Sequence, residues 1–270
     1  MELAHRVAVI TGAGSGIGRG IALALARRGT RLALCDVRTE GLAETAAVVA
    51  ALGGHCSTHI LDVADRAAVS AFPDAVLAAH GAVHLLFNNA GVAVGGTFER
   101  VSEQDFDWLM EINFHAVVRM TRAFLPHLRA TDRGWIINIS SLYGLIAPPG
   151  QTAYCASKFA VRGFSNALRH ELQGTSVGMT VVHPGGVATG IVRHARLPAG
   201  TDPAEAAARA RHSERLLRMP PDRAGEIIVR GVEREQARVL VGADARLLAL
   251  LERLMPVRYW AVMGALVGRN

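Results

Sequence analysis

Seven short runs rich in apolar residues punctuate the chain, at 7–11, 31–36, 55–61, 85–88, 135–140, 178–183 and 238–241. Each predicts a β-strand, because short apolar runs bounded by turn residues suit buried strands. Between them lie stretches of helical periodicity that begin near Gly16, Glu40, Arg66, Ser102, Tyr154 and Asp222. The stretch 102–129 reads as one long helix. Strands alternating with helices predict βαβ units, hence an α/β fold: a single-domain, doubly wound, parallel seven-stranded sheet with helices on both faces. In such sheets the loops after the strand ends carry the chemistry. Residues 1–243 are expected to form this domain. One irregular region, 190–221, sets two proline-containing breaks around an Ala/Arg-rich helical stretch and is expected to be a substrate loop.

Residues 244–270 read as an apolar helical extension. Leu247, Leu248, Leu250, Leu251 and Leu254 form a stripe that breaks at Pro256, before Tyr259-Trp260 and an apolar run to Val267. The uninterrupted apolar part is too short to span a bilayer. Pocket cover and subunit contact are the preferred readings. Peripheral contact with a membrane interface, with Arg246, Arg253 and Arg258 at the polar edge, is the third.

At 270 residues with 50% hydrophobic content, the chain can bury the core of one open α/β domain. Its formal net charge of +6 comes from arginines spread over many segments without interleaved aromatics. Nucleic acid is therefore not an expected partner, although an anionic cofactor suits the balance. Cys35, Cys56 and Cys155 are scattered and odd in number, which argues for reduced thiols and against a disulfide framework. Neither they nor the histidines show metal-ligand spacing, so no metal is expected. The first strand begins within a few residues of Met1, leaving no room for a secretion signal, and a cytoplasmic location is expected.

Of the 29 Lys and Arg residues, one is lysine, Lys158. It follows Tyr154 by one helical turn, so phenol and ammonium share a helix face. An ammonium is a compact charge with three rotatable donors, whereas a guanidinium is bulkier and spreads its charge. A surface lysine is the plain alternative, but its uniqueness among arginines argues for a tyrosine made acidic. A phenol of pKa about 10 must be lowered by roughly two to three pH units to act near neutrality. The loop Thr11-Gly12-Ala13-Gly14-Ser15-Gly16-Ile17-Gly18 directly follows a predicted strand and opens a helix. Gly12 and Gly16 permit a tight turn, Gly18 permits close helix packing, and backbone N–H groups at the helix start face a pyrophosphate.

Further along stand Asn88-Asn89-Ala90-Gly91, Asn113, Ser140-Ser141 and Pro184-Gly185. With the glycine loop and Tyr154/Lys158 these make six ordered motifs, and over about residues 3–242 the chain resembles the short-chain dehydrogenases/reductases. The resemblance implies a Rossmann-type sheet and an NAD(P)-dependent oxidoreductase. It implies a catalytic set of Asn113, Ser141, Tyr154 and Lys158. Tyr154 would exchange a proton with the substrate oxygen, Ser141 would orient that oxygen, and Lys158 would hold the nicotinamide ribose. Asn113, an amide inside a helical stretch that it weakens, would hold a kink and a proton-relay water. The cofactor would lie against Gly12, Ser15, Gly16, Ile17, Gly18, Asp36, Asp62, Val63, Asn89, Ala90, Gly91, Tyr154, Lys158, Pro184, Gly185, Val187 and Thr189. Transfer from the pro-S face is also implied.

Asp36 ends the second predicted strand, where a carboxylate accepts from both ribose hydroxyls and repels a 2′-phosphate. This points to NAD over NADP. Ser15 agrees, since NADP-using relatives often carry a basic residue there; Arg38, two residues beyond Asp36, is the contrary signal. Asp62 resembles an adenine-contacting carboxylate, with a turn or N-cap as the alternative. Asn89 is the cofactor-edge choice, with a ligand-free Asn-rich turn as the alternative. Ser140 would alternate to the other side of an extended chain and serve structure. His183 is likewise expected to be structural. A serine hydrolase is excluded, because Ser141 lacks a G-x-S-x-G elbow and a partnered His/Asp set.

Around the expected pocket lie Val92, Val94, Leu142, Leu145, Ile146, Pro148, Pro149, Ile191 and Val192. This apolar set suits a hydrophobic secondary alcohol or ketone. Arg193, His194 and Arg196 either meet a carboxylate or phosphate or are solvated. The leading reading is an NAD-dependent alcohol dehydrogenase/ketoreductase forming a homodimer or homotetramer. An NADPH-dependent carbonyl reductase is the alternative, and a non-catalytic dinucleotide-binding sensor or scaffold is the alternative of another class.

Overall fold

The computed structural model describes residues 1–267 and, within them, all side chains but those at 209, 212, 213 and 265–267. In chain order the elements are β1 (Val7–Thr11), α1 (Gly16–Ala26), β2 (Arg31–Asp36), α2 (Thr39–Ala51), β3 (Cys56–Ile60), α3 (Arg66–His80), β4 (Leu85–Asn88), α4 (Glu103–Met110), α5 (Ala116–Arg129), β5 (Gly134–Ile139), α6 (Thr152–Glu171), β6 (Val177–Pro184), α7 (Pro203–Leu216), α8 (Pro221–Glu233), β7 (Arg238–Val241), α9 (Ala243–Leu254) and α10 (Tyr259–Val267). The seven strands pair in parallel in the order β3-β2-β1-β4-β5-β6-β7. The chain winds outward from β1 to β3 and returns to β4 on the other side of β1. The carboxyl ends of β1 and β4 therefore form the switch point at which ligands bind in open parallel sheets.

Alternate strand residues feed two cores. Ala8 and Ile10 of β1 with Leu85 and Phe87 of β4 pack under α1, α2 and α8, beside Ile21, Leu42 and Ile228. Val9 and Leu86 pack on the opposite face with Phe72, Met120 and Phe124 of α3 and α5. Burial on both faces is why these strands read as nearly continuous apolar runs. The predicted strand at 55–61 shortens to β3, an edge strand whose Ile60 is exposed. The predicted strand at 135–140 shifts by one residue to β5, and that at 178–183 lengthens by one residue at each end to β6.

The predicted helix over 102–129 is divided. Ser102 caps α4 by accepting from the Asp105 N–H at 3.1 Å, but Glu111–His115 forms a π-helical turn before α5 begins. A π turn inserts one residue into the ladder and turns the following face, and such turns cluster at functional sites. Asn113 lies inside it, fully buried.

The extension packs onto the domain. Asp244 in the first turn of α9 accepts from the Gly186 N–H at 2.7 Å, and Ala245 and Ala249 are buried. The leucine stripe splits: Leu248 and Leu251 are half-buried, whereas Leu247, Leu250 and Leu254 are exposed. Among the described residues no helix is long and apolar enough to cross a membrane. Residues 268–270 of the expected extension lie outside the described residues.

Candidate active site

The glycine loop joins β1 to α1 at the switch point. Gly16 has φ +53, a left-handed conformation that favours glycine. A Cβ on Gly18 would lie 2.1 Å from the Gly12 carbonyl oxygen, so helix and loop approach too closely for any side chain. Helix α1 has no side-chain cap and no acid in its first turn. Its first N–H groups and positive dipole end are thus uncompensated, and Ser15, Gly16 and Ile17 keep exposed surface there. This cradle fits the pyrophosphate of a dinucleotide. Thr189, in the loop after β6, closes its far side, with its Cγ2 3.1 Å from where a Gly16 Cβ would stand.

Asp36 is buried at the end of β2, and its carboxylate accepts from the Gly14 N–H at 2.8 Å and the Arg38 N–H at 3.0 Å. The Arg38 side chain folds back over this corner. It donates to Ser15 Oγ at 2.6 Å, with its Nε 3.7 Å from Asp36 Oδ1. Carboxylate and guanidinium therefore share the place expected for the adenosine ribose. Asp62 is exposed and accepts from the Ala64 N–H at 2.8 Å, an Asx turn in which Val63 is buried.

After β4, Asn88 donates to Asn138 Oδ1 at 2.8 Å and fastens β4 to β5. Asn89 directs its Nδ2 into the loop, donating to the Thr11 carbonyl at 2.8 Å and the Gly12 carbonyl at 3.2 Å. Its side chain thus braces the cradle from behind. Thr11 Oγ1 accepts from the backbone of both Asn89 and Ala90 at 2.9 Å, a brace with no signal in the sequence beyond its place in the loop motif. Beyond it, a Cβ on Gly91 would come within 3.2 Å of Asn113 Oδ1 and 3.4 Å of Lys158 Nζ. Gly91 is the point where the β4 loop, the π turn and α6 meet.

Around that point the structure gathers Asn113, Ser141, Tyr154 and Lys158. Asn113 accepts from the Val92 N–H at 2.8 Å and donates to the Val92 carbonyl at 3.0 Å and to Ser157 Oγ at 3.2 Å. The π turn is thereby locked to the β4 loop and to α6. Ser141 opens a short 3-10 turn, Leu142–Gly144, and accepts from the Tyr143 N–H at 3.1 Å. Ser140, facing the other way, donates to the Lys158 backbone carbonyl at 2.8 Å. Lys158 is buried; its Nζ lies 5.6 Å from the Tyr154 ring centroid and donates to the Ile139 carbonyl at 3.1 Å.

Burial weighs on both members of the Tyr154/Lys158 pair. Tyr154 keeps part of its surface exposed, yet burial pushes its phenol up to about 12, against the opposing effect of a hydrogen bond with Ser141. Burial also pulls Lys158 down to about 8. Desolvation penalises both charged forms, so the chain's own groups do not make an acidic tyrosine.

His183, buried at the end of β6, donates from Nδ1 to the Ser141 carbonyl at 2.9 Å and holds the serine turn from behind. Tyr259 of α10 accepts from the Ala147 N–H at 2.8 Å and so touches the expected substrate wall. No pattern in the sequence links residues so far apart. Of that wall, Val94, Leu142, Leu145 and Ile146 are buried, while Val92, Pro148, Ile191 and Val192 keep exposed surface. Arg196 is already engaged: it donates to Asp105 Oδ1 at 3.0 Å and lies over the Trp108 ring at 3.6 Å. Arg193 and His194 are exposed.

Comparison with known proteins agrees with this architecture. Residues 6–199 match the family model for short chain dehydrogenases. The putative oxidoreductase SadH of Mycobacterium tuberculosis is 46% identical over 266 residues, 98% of this chain and 96% of SadH. Human estradiol 17-beta-dehydrogenase 11 is 32% identical, over 95% of this chain and 81% of that protein. A short-chain dehydrogenase/reductase from Burkholderia phymatum solved in complex with NAD superposes with a TM-score of 0.87 at 31% identity, covering 100% of this chain and 97% of that one. A metagenomic short-chain oxidoreductase solved with NADP gives a TM-score of 0.72 at 32% identity, covering 89% and 98%. This chain belongs to the short-chain dehydrogenase/reductase family and is an oxidoreductase of that family.

Proposed function

We propose that the chain transfers hydride between NAD and a hydrophobic secondary alcohol or the matching ketone, with Asn113, Ser141, Tyr154 and Lys158 as the acting residues. The observation that carries this reading is the hydrogen bond between the Ser141 hydroxyl and the Tyr154 phenol, with the Lys158 ammonium near the phenol ring and beside the backbone of Gly91. The dinucleotide, when bound along the α1 cradle, accepts or supplies the hydride. In reduction Tyr154 gives its hydroxyl proton to the substrate oxygen, and in oxidation its phenolate takes that proton back. Ser141 orients the oxygen. Lys158 holds positive charge near the phenol, and Asn113 keeps the π turn and the β4 loop in register with α6. Asp36 receives the ribose hydroxyls of NAD. The remaining contacts proposed for the dinucleotide are Gly12, Ser15, Gly16, Ile17, Gly18, Asp62, Val63, Asn89, Ala90, Gly91, Pro184, Gly185, Val187 and Thr189.

The half-buried Val92, Pro148, Ile191 and Val192 supply an apolar wall, and the similarity to an enzyme named for estradiol supports a bulky apolar alcohol. Residues 1–243 form the proposed catalytic domain, 190–221 its substrate loop, and the extension covers the pocket through Tyr259. A cytoplasmic homodimer or homotetramer is part of this reading. An NADP-dependent carbonyl reductase is the second reading, carried by the guanidinium of Arg38 at Ser15. Steady-state absorbance of the reduced cofactor, with NAD and secondary alcohols of increasing bulk at alkaline pH, tests the proposal. Turnover rising with apolar bulk is expected. Dinucleotide binding without turnover on any member of the series would instead favour a sensor.

A further inference from the structure

Between α6, β6 and β7 lies a cavity of about 220 Å³ that the proposed reaction does not use. It is lined by Arg162, Asn166 and Arg169 of α6, His183 of β6 and Arg238 of β7. Most arginines that pack against the fold are paired: Arg28 with Glu226 and Glu233, Arg119 with Glu111, Arg196 with Asp105. The three cavity arginines form no ion pair among the described residues. Arg162 donates to the Gly144 carbonyl at 3.2 Å, and Arg169 Nε is buried without a partner. Arg162 and Arg253 repel Arg238, and Glu252 attracts it only from beyond ion-pair distance. Arg162 and Arg169 are half-buried and Arg238 is exposed at the edge of the cavity, so their unpaired positive charges favour a counter-charge between them.

His183 supplies the second observation. Its side chain is fully buried, and Nδ1 must donate to the Ser141 carbonyl, because a carbonyl only accepts. Nε2 is therefore an unprotonated acceptor, buried and without a partner, on a residue that lines the cavity. Guanidinium forks match oxyanions, and an acceptor among them calls for an oxyanion that also carries a hydrogen. Hydrogen phosphate and phosphate monoanions have that hydrogen; sulfate at neutral pH does not.

We propose that this cavity is a binding site for a small phosphate-bearing anion, separate from the dinucleotide cradle. Arg169 and Arg238 grip the anion's oxygens, Asn166 donates to it, and its hydroxyl donates to His183 Nε2. Its occupancy reaches the catalytic turn, since His183 and Arg162 hold the carbonyls of Ser141 and Gly144.

Isothermal titration of inorganic phosphate into the full chain tests this, with NADH or NADPH saturating the cradle and ionic strength held constant. One saturable site per chain is expected, at least tenfold weaker for sulfate and for Arg169→Gln/Arg238→Gln. Asn166→Asp, which places a negative charge in the cavity, is expected to weaken phosphate equally while cofactor affinity and the melting transition stay unchanged. Absence of saturable phosphate binding, equal affinity for sulfate, or undiminished affinity in both variants overturns the proposal. So does a wild type that ignores phosphate while the double variant loses its oligomeric state on sedimentation, because the arginines would then serve a neighbouring copy's carboxylates.

Discussion

Lys158 Nζ stands 5.6 Å from the centroid of the Tyr154 ring while donating to the Ile139 carbonyl at 3.1 Å. The ammonium is thus anchored to β5 and presented to the phenol from one helical turn away. Burial raises the phenol, and the effect opposing it is the hydrogen bond with Ser141. A phenol held at about 12 stays almost wholly protonated at pH 7. Any lowering must come from positive charge added beside it, and each pH unit of lowering is worth about 1.4 kcal/mol.

The sign of the pH dependence follows. Oxidation needs phenolate, which is scarce below the phenol's pKa and grows with pH; reduction needs the protonated phenol, which is present below it. With the phenol raised, kcat/KM for alcohol oxidation is expected to climb between roughly pH 7 and 10, while ketone reduction stays nearly level over the same range because the phenol remains protonated. Parallel pH–rate profiles in both directions check this. An oxidation profile that is flat across the range would count against a titrating Tyr154.

Lys158→Arg is expected to be nearly as damaging as Lys158→Ala, with losses of about a hundredfold or more in kcat. Lys158 is buried, and its Nζ lies 3.4 Å from where even a Gly91 Cβ would stand. A longer, planar guanidinium has no place there. Near-normal turnover in the arginine variant would show that any buried cation suffices.

Cofactor choice pits Asp36 against Arg38 at one corner. Wild type is expected to prefer NAD over NADP by about tenfold or more in kcat/KM, through repulsion between the carboxylate and a 2′-phosphate. Asp36→Ala should shrink the gap mainly by improving NADP binding, and Arg38→Ala should weaken residual NADP use. Asp36→Ala should also cost about 1–3 kcal/mol of stability, because the buried Gly14 N–H loses its acceptor. A wild type that favours NADP would mean that the guanidinium outweighs the carboxylate.

Tyr259→Phe removes the acceptor for the Ala147 N–H and frees the 145–149 wall from α10. The bond is worth about 1 kcal/mol, so KM for the alcohol should rise roughly fivefold while KM for the dinucleotide stays put. Unchanged substrate KM would remove the extension from the pocket.

The parallel sheet was legible because strands buried on both faces leave continuous apolar runs, and β1 and β4 could be read residue for residue. β3 was overextended by one residue at each end, at its far end because Leu61, though past the strand, is buried and continues the apolar run. The π turn hid inside 102–129, where the amphipathic pattern runs on; only the buried amide of Asn113 marked it. The partners at the site followed from motif spacing, since Tyr154 and Lys158 share a helix face. The phenol's pKa did not. Sequence names the neighbouring charge, but desolvation depends on everything packed around the ring, and here it is the largest effect on the phenol. Contacts such as Ala147 with Tyr259 join segments that no periodicity relates.

The proposed reaction runs through the Tyr154 hydroxyl, which carries the proton. Turnover of Tyr154→Phe with a substrate active on wild type, measured beside dinucleotide affinity from cofactor fluorescence, tests it most directly. Removing only that oxygen should lower kcat by about a hundredfold to ten-thousandfold while cofactor affinity stays within a few-fold. Retention of more than about a tenth of wild-type kcat would mean that another group carries the proton.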